Sequence, residues 1–401
     1  MKKALAGSLA LLLSAATGTV QAVSDGTVRI LVVTNLAGTY SDLAGPGNVT
    51  AARLALEEFD GTVAGAPVEI IVRDSELNPE TAANHLAEVH AERPVDMVIG
   101  PISSAVAVEV QEYADANGII TLHSGPSSTI FTNEACSPLA VQWGFDTYAL
   151  AQASAAAAAA QGGGNWFFIT ADYEFGRDLE AQAARAVQDQ GGRIAGNALI
   201  PHPATVIDEQ IVEAMSSDAD VIGLAMAGDD TRLAIQLLYE MGIASDPDRA
   251  AIAMEVFLTD ILSLGNYVTS GLRYVTSFYW NSNDATRAWS DRFLEREGVR
   301  PTAPQAGVYS AVRHYLRAVD AAGTDESNAV MTRMRDLRVD DGVFASDGWI
   351  REDGRMMHPL YLVEVQRPSE VRASQDYLRI VDRVPAEEAF PTVAEGRCQR
   401  L

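Results

Sequence analysis

The stretch 28-VRILVVTNLAGTYSDLAGPGNVTAARLALEEF-59 predicts the fold, because it reads as a strand, a loop and a helix. Residues 28–34 are apolar and β-branched, which is typical of a strand buried on both faces. The loop 34–48 is rich in small and hydroxyl-bearing residues, and apolar residues at helical spacing follow over 49–59. We therefore expect a βα unit whose polar loop lies at the carboxyl end of its strand.

The same alternation continues along the chain. Strands are predicted at 68–74, 96–100, 118–123, 165–170, 220–226 and 273–280, and helices at 79–92, 104–117, 175–190 and 229–241. Repeated βα units are typical of parallel sheets covered by helices on both faces. After about residue 147, an Ala-rich helix (149–160) precedes a second βα series, which predicts two doubly wound lobes.

Composition narrows the function classes. The chain has 401 residues, of which 48% are hydrophobic, enough for a large core and more than one domain. Its formal net charge of −25 repels nucleic acid and anionic lipid, and no basic patch offsets it. We therefore expect no nucleic-acid partner.

The N-terminus has the features of an export signal. Lys2 and Lys3 precede the apolar run 4–15, and small residues lead to 20-VQA-22. We expect residues 1–22 to be a cleaved signal peptide, with an uncleaved membrane anchor as the alternative. No cysteine follows the apolar run, so we expect an exported, soluble mature protein without a lipid anchor.

The two cysteines, Cys136 and Cys398, predict one disulfide in an oxidising compartment. The alternative is two free thiols. Neither cysteine has a Cys or His nearby at metal-ligand spacing, so we expect no metal site there.

Five loops rich in Gly, Ser, Thr, Asp or Tyr are predicted at the carboxyl ends of strands, where they would face one cleft. They are 34–48, 100-GPISSA-105, 123-HSGPSST-129, 170-TADYEFG-176 and 226-MAGDDT-231. No phosphate-binding loop, zinc motif or nucleophile elbow occurs, and His123 stands alone among serines. Hydroxyl groups without an adjacent base indicate binding rather than catalysis, with no cofactor.

Two groups of residues are candidates for ligand contact. Ser103 and Ser104 open a helix, where free N–H groups favour an anion, although either serine would also serve as a helix cap. The aromatic residues that would form an apolar pocket wall, or alternatively ordinary core, are Tyr173, Phe175, Tyr279 and Trp280.

Several segments, in this order and spacing, resemble one family over about 28–365. They are 38-GTYSDLAGPG-47, 74-DSELNP-79, 98-VIGPISSA-105, 171-ADYEFG-176 and 226-MAGDDTRLAIQLLYEMGI-243. The chain resembles type I periplasmic solute-binding proteins of the leucine/isoleucine/valine class, which are receptor subunits of ABC importers. The runs 141–151 and 165–176 are most similar to a branch associated with aromatic and other organic acids.

The resemblance implies an α/β fold of two doubly wound parallel-sheet lobes that close on a ligand by a hinge. The expected boundaries are 23–147 with 281–347 for one lobe, 148–280 with 348–385 for the other, and 386–401 for a C-terminal tail.

The resemblance also implies roles for individual residues. The positions that match the family's carboxylate site are Ser103, Ser104, Ser127 and Ser128, although Pro126 lacks an N–H group there. Phe175 matches an aromatic position but lacks a tyrosine hydroxyl, and Tyr173 precedes it by two residues. Asp230 matches the ammonium partner of amino-acid receptors, or else it is a helix cap. The loop at 38–47 is expected at the ligand rim, with Tyr40 and Ser41 as contacts.

The expected function is therefore capture of a small carboxylate-bearing solute, such as a branched-chain amino acid, and its delivery to a membrane permease. Receptors for aromatic or other organic acids, amides or urea are the alternatives, as is a periplasmic sensing module. A secreted enzyme is disfavoured because no base, nucleophile or metal set can be assembled. We expect a periplasmic monomer, and the sequence leaves the ligand unidentified.

Overall fold

A computed structural model describes residues 23–160, 162–243 and 246–399 of the chain. The first sheet has six strands in the order β2-β3-β1-β4-β5-β6, and all neighbours are parallel except the short β2–β3 pair. Its strands are β1 (Val28–Thr34), β2 (Thr62–Val63), β3 (Ala66–Asp74), β4 (Met97–Ile99), β5 (Ile120–His123) and β6 (Ala140–Gln142). The predicted signal peptide, residues 1–22, lies outside the described residues.

Helices cover both faces of this sheet, because its central strand is apolar on both sides. Ile30 and Val32 of β1 belong to one buried cluster, whereas Leu31 and Val33 belong to a second. Together these strands and helices form what we call the first lobe. Its helices are α1 (Gly45–Glu57), α2 (Pro79–Glu92), α3 (Ser104–Ala116), α9 (Asp284–Glu297), α10 (Ala303–Ala322) and α11 (Ser327–Asp336).

Helix α1 begins earlier than the apolar spacing predicts, at Gly45 rather than near residue 49. Pro46 lies in its first turn, where the missing N–H group would have had no helical partner. The loop that follows β1 is therefore shorter than expected, and it runs from residue 35 to residue 44.

The second sheet has four parallel strands in the order β10-β9-β7-β8. With its helices it forms the second lobe. The strands are β7 (Asn165–Ala171), β8 (Arg193–Ile200), β9 (Val221–Ala225) and β10 (Ala250–Ala253), and the helices are α4 (Thr147–Ala159), α5 (Glu174–Asp189), α6 (Asp208–Ser216), α7 (Asp229–Glu240) and α8 (Leu258–Leu264). The expected architecture of two doubly wound parallel lobes is confirmed, and the lobe boundaries stay a prediction.

A third, antiparallel sheet was not expected from the sequence. It contains β11 (Arg273–Thr276), β14 (Leu360–Val365) and β15 (Leu378–Val384), and a separate short pair is formed by β12 (Trp349–Ile350) and β13 (Met356–Met357). The strand predicted at 273–280 ends at Thr276, whose hydroxyl donates a hydrogen bond to the carbonyl of Phe278 at 3.0 Å. This local bond replaces the next rungs of the ladder.

A buried arginine fixes the connection between β6 and α4. The Arg355 side chain is fully buried, and its Nη1 lies 2.9 Å from the Asp146 carboxylate. Its Nη2 donates to the carbonyl of Gln142 at 2.9 Å. Because residues 143–146 lead from the first lobe to the second, this ion pair restrains one of the segments that join the lobes.

The C-terminal tail crosses the same region. It contains α12 (Ala386–Ala389), and the Phe390 ring lies 4.3 Å from the Arg355 guanidinium carbon. Pro391 accepts a hydrogen bond of 2.7 Å from Arg351. The tail then reaches the first lobe, where the predicted disulfide between Cys136 and Cys398 is formed. Across the described ranges, no helix is both long and apolar enough to cross a membrane.

We predict that replacing Cys398 with Ser lowers the free energy of unfolding by about 2–5 kcal/mol. The disulfide closes a loop with a sequence separation of 262 residues, so its loss enlarges the unfolded ensemble. Urea unfolding of the oxidised wild type and of Cys398→Ser measures the difference. Equal unfolding midpoints in the two proteins would contradict the prediction, and reduced wild type should match the variant.

Candidate functional site

The carboxyl ends of the parallel strands of both lobes meet around a small cavity, whose free volume is about 10 Å³. Loops that follow strands of both sheets contribute to its wall. The lining residues are Tyr40, Leu43, Ile102, Gly125, Ser127, Tyr173, Phe175, Ala227, Glu255 and Phe257. A larger open groove beside Ala250 and Arg273 lies away from this edge of the sheets. The cavity is therefore the candidate ligand site.

Glu255 is the charged residue of the cavity wall that sequence reasoning missed. It is 4% exposed, and its carboxylate accepts a hydrogen bond of 2.7 Å from the Ser127 hydroxyl of the opposite lobe. Burial raises the pKa of Glu255 to about 8, and nearby Asp260 adds to this effect. The available signal was a single acidic residue in the apolar run 250-AAIAMEVF-257, directly after a strand.

Tyrosines of the two lobes contact each other at the cavity. The hydroxyl of Tyr40 lies 3.0 Å from that of Tyr173, and the His202 ring lies against both tyrosine rings. Tyr40 approaches the second lobe at Gly228, where a Cβ atom would lie 2.6 Å from its ring. The glycine also has a φ of 61°, so both its conformation and this contact require the absence of a side chain. Burial raises the pKa of both tyrosines, which stay neutral.

Asp230 does not line the cavity. It is fully buried, and its carboxylate lies 2.7 Å from His202 Nδ1 and accepts a hydrogen bond of 2.8 Å from the Ala204 amide. Helix α7 begins at Asp229, but no side chain caps it. Asp230 therefore holds His202, which in turn contacts Tyr40 and Tyr173 of the cavity wall.

The serines lie close to the N-terminus of α3. Ser103 is the residue before the helix and makes no capping bond with its side chain, whereas the Ser104 hydroxyl accepts a bond of 3.2 Å from the Ser128 amide. Ile102, the residue before Ser103, lines the cavity, whereas Ser103, Ser104 and Ser128 are not among the lining residues. The Ser128 hydroxyl donates to Asp178 of the second lobe at 3.0 Å.

Two expected contacts lie elsewhere. Ser41 is half-buried and lines a groove on the surface between the lobes. The Tyr279 hydroxyl donates to Asp376 at 2.6 Å and accepts from the Leu378 amide, so it packs on the C-terminal sheet. Phe175 does line the cavity, 5.8 Å from Tyr173 between ring centres.

His123 has a structural environment. It is fully buried, its Nε2 lies 2.6 Å from the Gln111 amide oxygen, and it packs on Phe131. Burial lowers its pKa to about 3, so the ring is neutral. In the portion of the chain that the structure covers, no three His, Cys, Asp or Glu side chains are grouped so as to hold a metal ion.

Two α/β lobes that enclose a small cavity, with polar groups from both lobes in its wall, are typical of a solute-binding protein. The family model described as periplasmic binding protein matches residues 27–371. The chain therefore belongs to the periplasmic binding protein family, whose members are solute-binding proteins of ABC transporters and not enzymes.

Solved structures agree with this assignment. A periplasmic binding protein from Burkholderia mallei is 36% identical over 94% of this chain and 99% of its own, with a TM-score of 0.91. A branched chain amino acid ABC transporter periplasmic ligand-binding protein from Burkholderia xenovorans is 28% identical over 93% and 99%, with a TM-score of 0.82. An ABC transporter solute binding protein from R. palustris, in complex with benzoate, is 17% identical over 93% and 100%, with a TM-score of 0.78, and shows likeness of fold alone. No curated protein matches the sequence.

The raised pKa of Glu255 predicts a pH-dependent stability. The unfolded carboxyl titrates near 4.5 and the folded one near 8, so the stabilisation is complete below pH 4.5 and is lost as pH rises to 8. Residue 255 stays neutral in Glu255→Gln. Relative to this variant, the free energy of unfolding of the wild type should fall by up to about 1.4 kcal/mol per pH unit across this window. Urea unfolding of both proteins at pH 5, 6, 7 and 8, with exposed Glu213→Gln as the control, measures it. Parallel pH profiles for the wild type and Glu255→Gln would refute the assignment.

Proposed function

We propose that this protein is the receptor subunit of an ABC importer and captures a small amino acid by closure of its two lobes. The observation behind this proposal is the buried Glu255 carboxyl, which bonds to Ser127 across the lobes inside a closed cavity. An amino acid needs an anionic partner for its ammonium group and donors for its carboxylate. Glu255 would supply the anionic partner, and Ser127 and the nearby N-terminus of α3 would supply donors.

Glu255 is the proposed ammonium partner. A cation beside a buried carboxyl lowers its pKa, so an incoming ammonium group would convert Glu255 to its ionised form. The α3 N-terminus, with Ser103 and Ser104, and the neighbouring Ser127 and Ser128 would hold the ligand carboxylate.

The side chain of the ligand would lie against the aromatic wall. Phe175 and Phe257 supply apolar surface, and Tyr40 and Tyr173 add hydroxyl groups. Asp230 would act on this wall through His202 rather than on the ammonium group, since both of its oxygens already have partners.

The mechanism we propose is hinge closure. A ligand that contacts both lobes binds the closed form better than the open form, and it shifts the equilibrium by that difference. The loaded protein, a monomer exported after cleavage of residues 1–22, would then dock on a membrane permease. The first lobe would comprise 23–147 and 281–347, and the second 148–280 and 348–385.

A second candidate is an aromatic or other organic acid. The raised pKa of Glu255, about 8, favours this reading, because a protonated carboxyl donates a hydrogen bond to a ligand oxygen. Amides and urea would use the same donor. A periplasmic sensing module would share this site and differ only in its protein partner.

A ligand panel with Glu255→Gln separates the candidates. Thermal shift against L-leucine, L-phenylalanine, benzoate, 4-hydroxybenzoate, acetamide and urea identifies the class, since ligand at 100 times its Kd stabilises by about 2.7 kcal/mol. For an amino acid, Glu255→Gln should weaken binding about 30- to 1000-fold, because the ammonium loses a buried charged partner.

For an organic acid, the amide of Glu255→Gln still donates a hydrogen bond to the ligand, so the loss of binding affinity should stay within about 10-fold. Asp230→Asn keeps the shape of the His202 contact and serves as the second variant. A panel without any raised midpoint would contradict both candidates.

A further inference from the structure

Arg232, at the second turn of α7, binds three carboxylates with its three guanidinium nitrogens. Nε lies 2.7 Å from Asp260, Nη1 lies 3.0 Å from Asp229, and Nη2 lies 2.5 Å from Asp42. Asp229 and Asp260 belong to the second lobe, on α7 and α8. Asp42 belongs to the first lobe, in the loop between β1 and α1.

The three pairs differ in what hinge motion would do to them. Asp260 is fully buried, and its carboxylate also accepts a hydrogen bond of 2.8 Å from the Phe257 amide, so it holds Arg232 within the second lobe. Asp229 lies three residues before Arg232 on the same helix. Of these three carboxylates, only Asp42 comes from the other lobe, so hinge opening would separate it from Arg232.

This cross-lobe pair is separate from the ligand cavity. Neither Asp42 nor Arg232 lines the cavity, although Tyr40 and Leu43, which lie within two residues of Asp42 in the chain, do so. The Arg232 side chain is 15% exposed and that of Asp42 is 44% exposed, so the contact is partly shielded from solvent. A solute in the cavity therefore has no direct contact with either charge.

We propose that Asp42 and Arg232 form an ionic latch that stabilises the closed form and so raises the affinity for every solute by the same factor. The latch rests on the proposed hinge closure. A pair that exists only in the closed form changes the closed-to-open ratio, whereas a residue in the cavity wall changes the preference among ligands. Asp42 and Arg232 are positioning residues for closure, not ligand contacts.

The latch is tested on ligand-free protein by single-molecule FRET. Dyes are placed on exposed cysteines introduced at Glu88 of α2 and Glu213 of α6, one on each lobe, with the native disulfide left oxidised. The compared proteins are the labelled parent, Asp42→Ala and Asp229→Ala. The two variants each remove an exposed carboxylate that binds Arg232, but only Asp42 lies on the opposite lobe from Arg232.

We expect Asp42→Ala to lower the closed-to-open ratio about 3- to 10-fold, as for a partly shielded ion pair. Asp229→Ala should leave the ratio within about twofold, because its contact is present in both forms. Added salt should lower the ratio of the parent but not that of Asp42→Ala. For any panel ligand that binds, Asp42→Ala should raise all Kd values by one common factor.

The latch would be overturned if the closed-to-open ratio were equal in the parent and in Asp42→Ala. It would also be overturned if the parent showed no detectable closed molecules. An equal drop in Asp229→Ala would overturn it too. Circular dichroism melting checks that each variant is folded. Since this measurement needs no ligand, a ligand panel without a hit would refute the proposed solute class and leave the test of the latch intact.

Discussion

Parallel strands cannot be joined by a tight turn, and the position of the site depends on this constraint. Each strand of a parallel sheet must return through a crossover, so all strands of the sheet end at the same edge. The apolar strands β1 and β7 are buried on both faces, which requires covering helices and leaves the loops at that edge as the place for polar residues. Two such edges face each other here, and Tyr40, Ser127, Tyr173 and Glu255 meet between them.

Contacts at several places hold the lobes against each other. At the cavity, Ser127 bonds to Glu255 and Tyr40 bonds to Tyr173. On the joining segments, buried Arg355 binds Asp146, and the tail packs over this pair before the disulfide attaches it to the first lobe. Close to the cavity, Asp42 and Arg232 form an ion pair between the lobes. The geometry of the cavity thus depends on residues that do not line it.

Two buried acidic side chains, Glu255 and Asp230, have different roles because their hydrogen-bond partners differ. Among the described residues, the hydrogen-bond partner of Glu255 is the Ser127 hydroxyl, and its pKa is raised, so it has capacity for a further charged or polar group. The Asp230 carboxylate is equally buried, but His202 and the Ala204 amide already bind both of its oxygens. The chemistry of a carboxylate therefore follows from its partners rather than from its position at the end of a strand.

The sequence by itself determined the two βα series, the polar loops at the strand ends and the pairing of Cys136 with Cys398, because hydrophobic periodicity and cysteine number are local or countable properties. It could not place Tyr279 or Asp230, whose partners are distant in the chain, and it missed Glu255 because one acid in an apolar run has no periodic signal. The antiparallel sheet of β11, β14 and β15 also joins distant segments. These contacts were decided only by the tertiary structure, since side-chain packing between lobes depends on how the sheets meet.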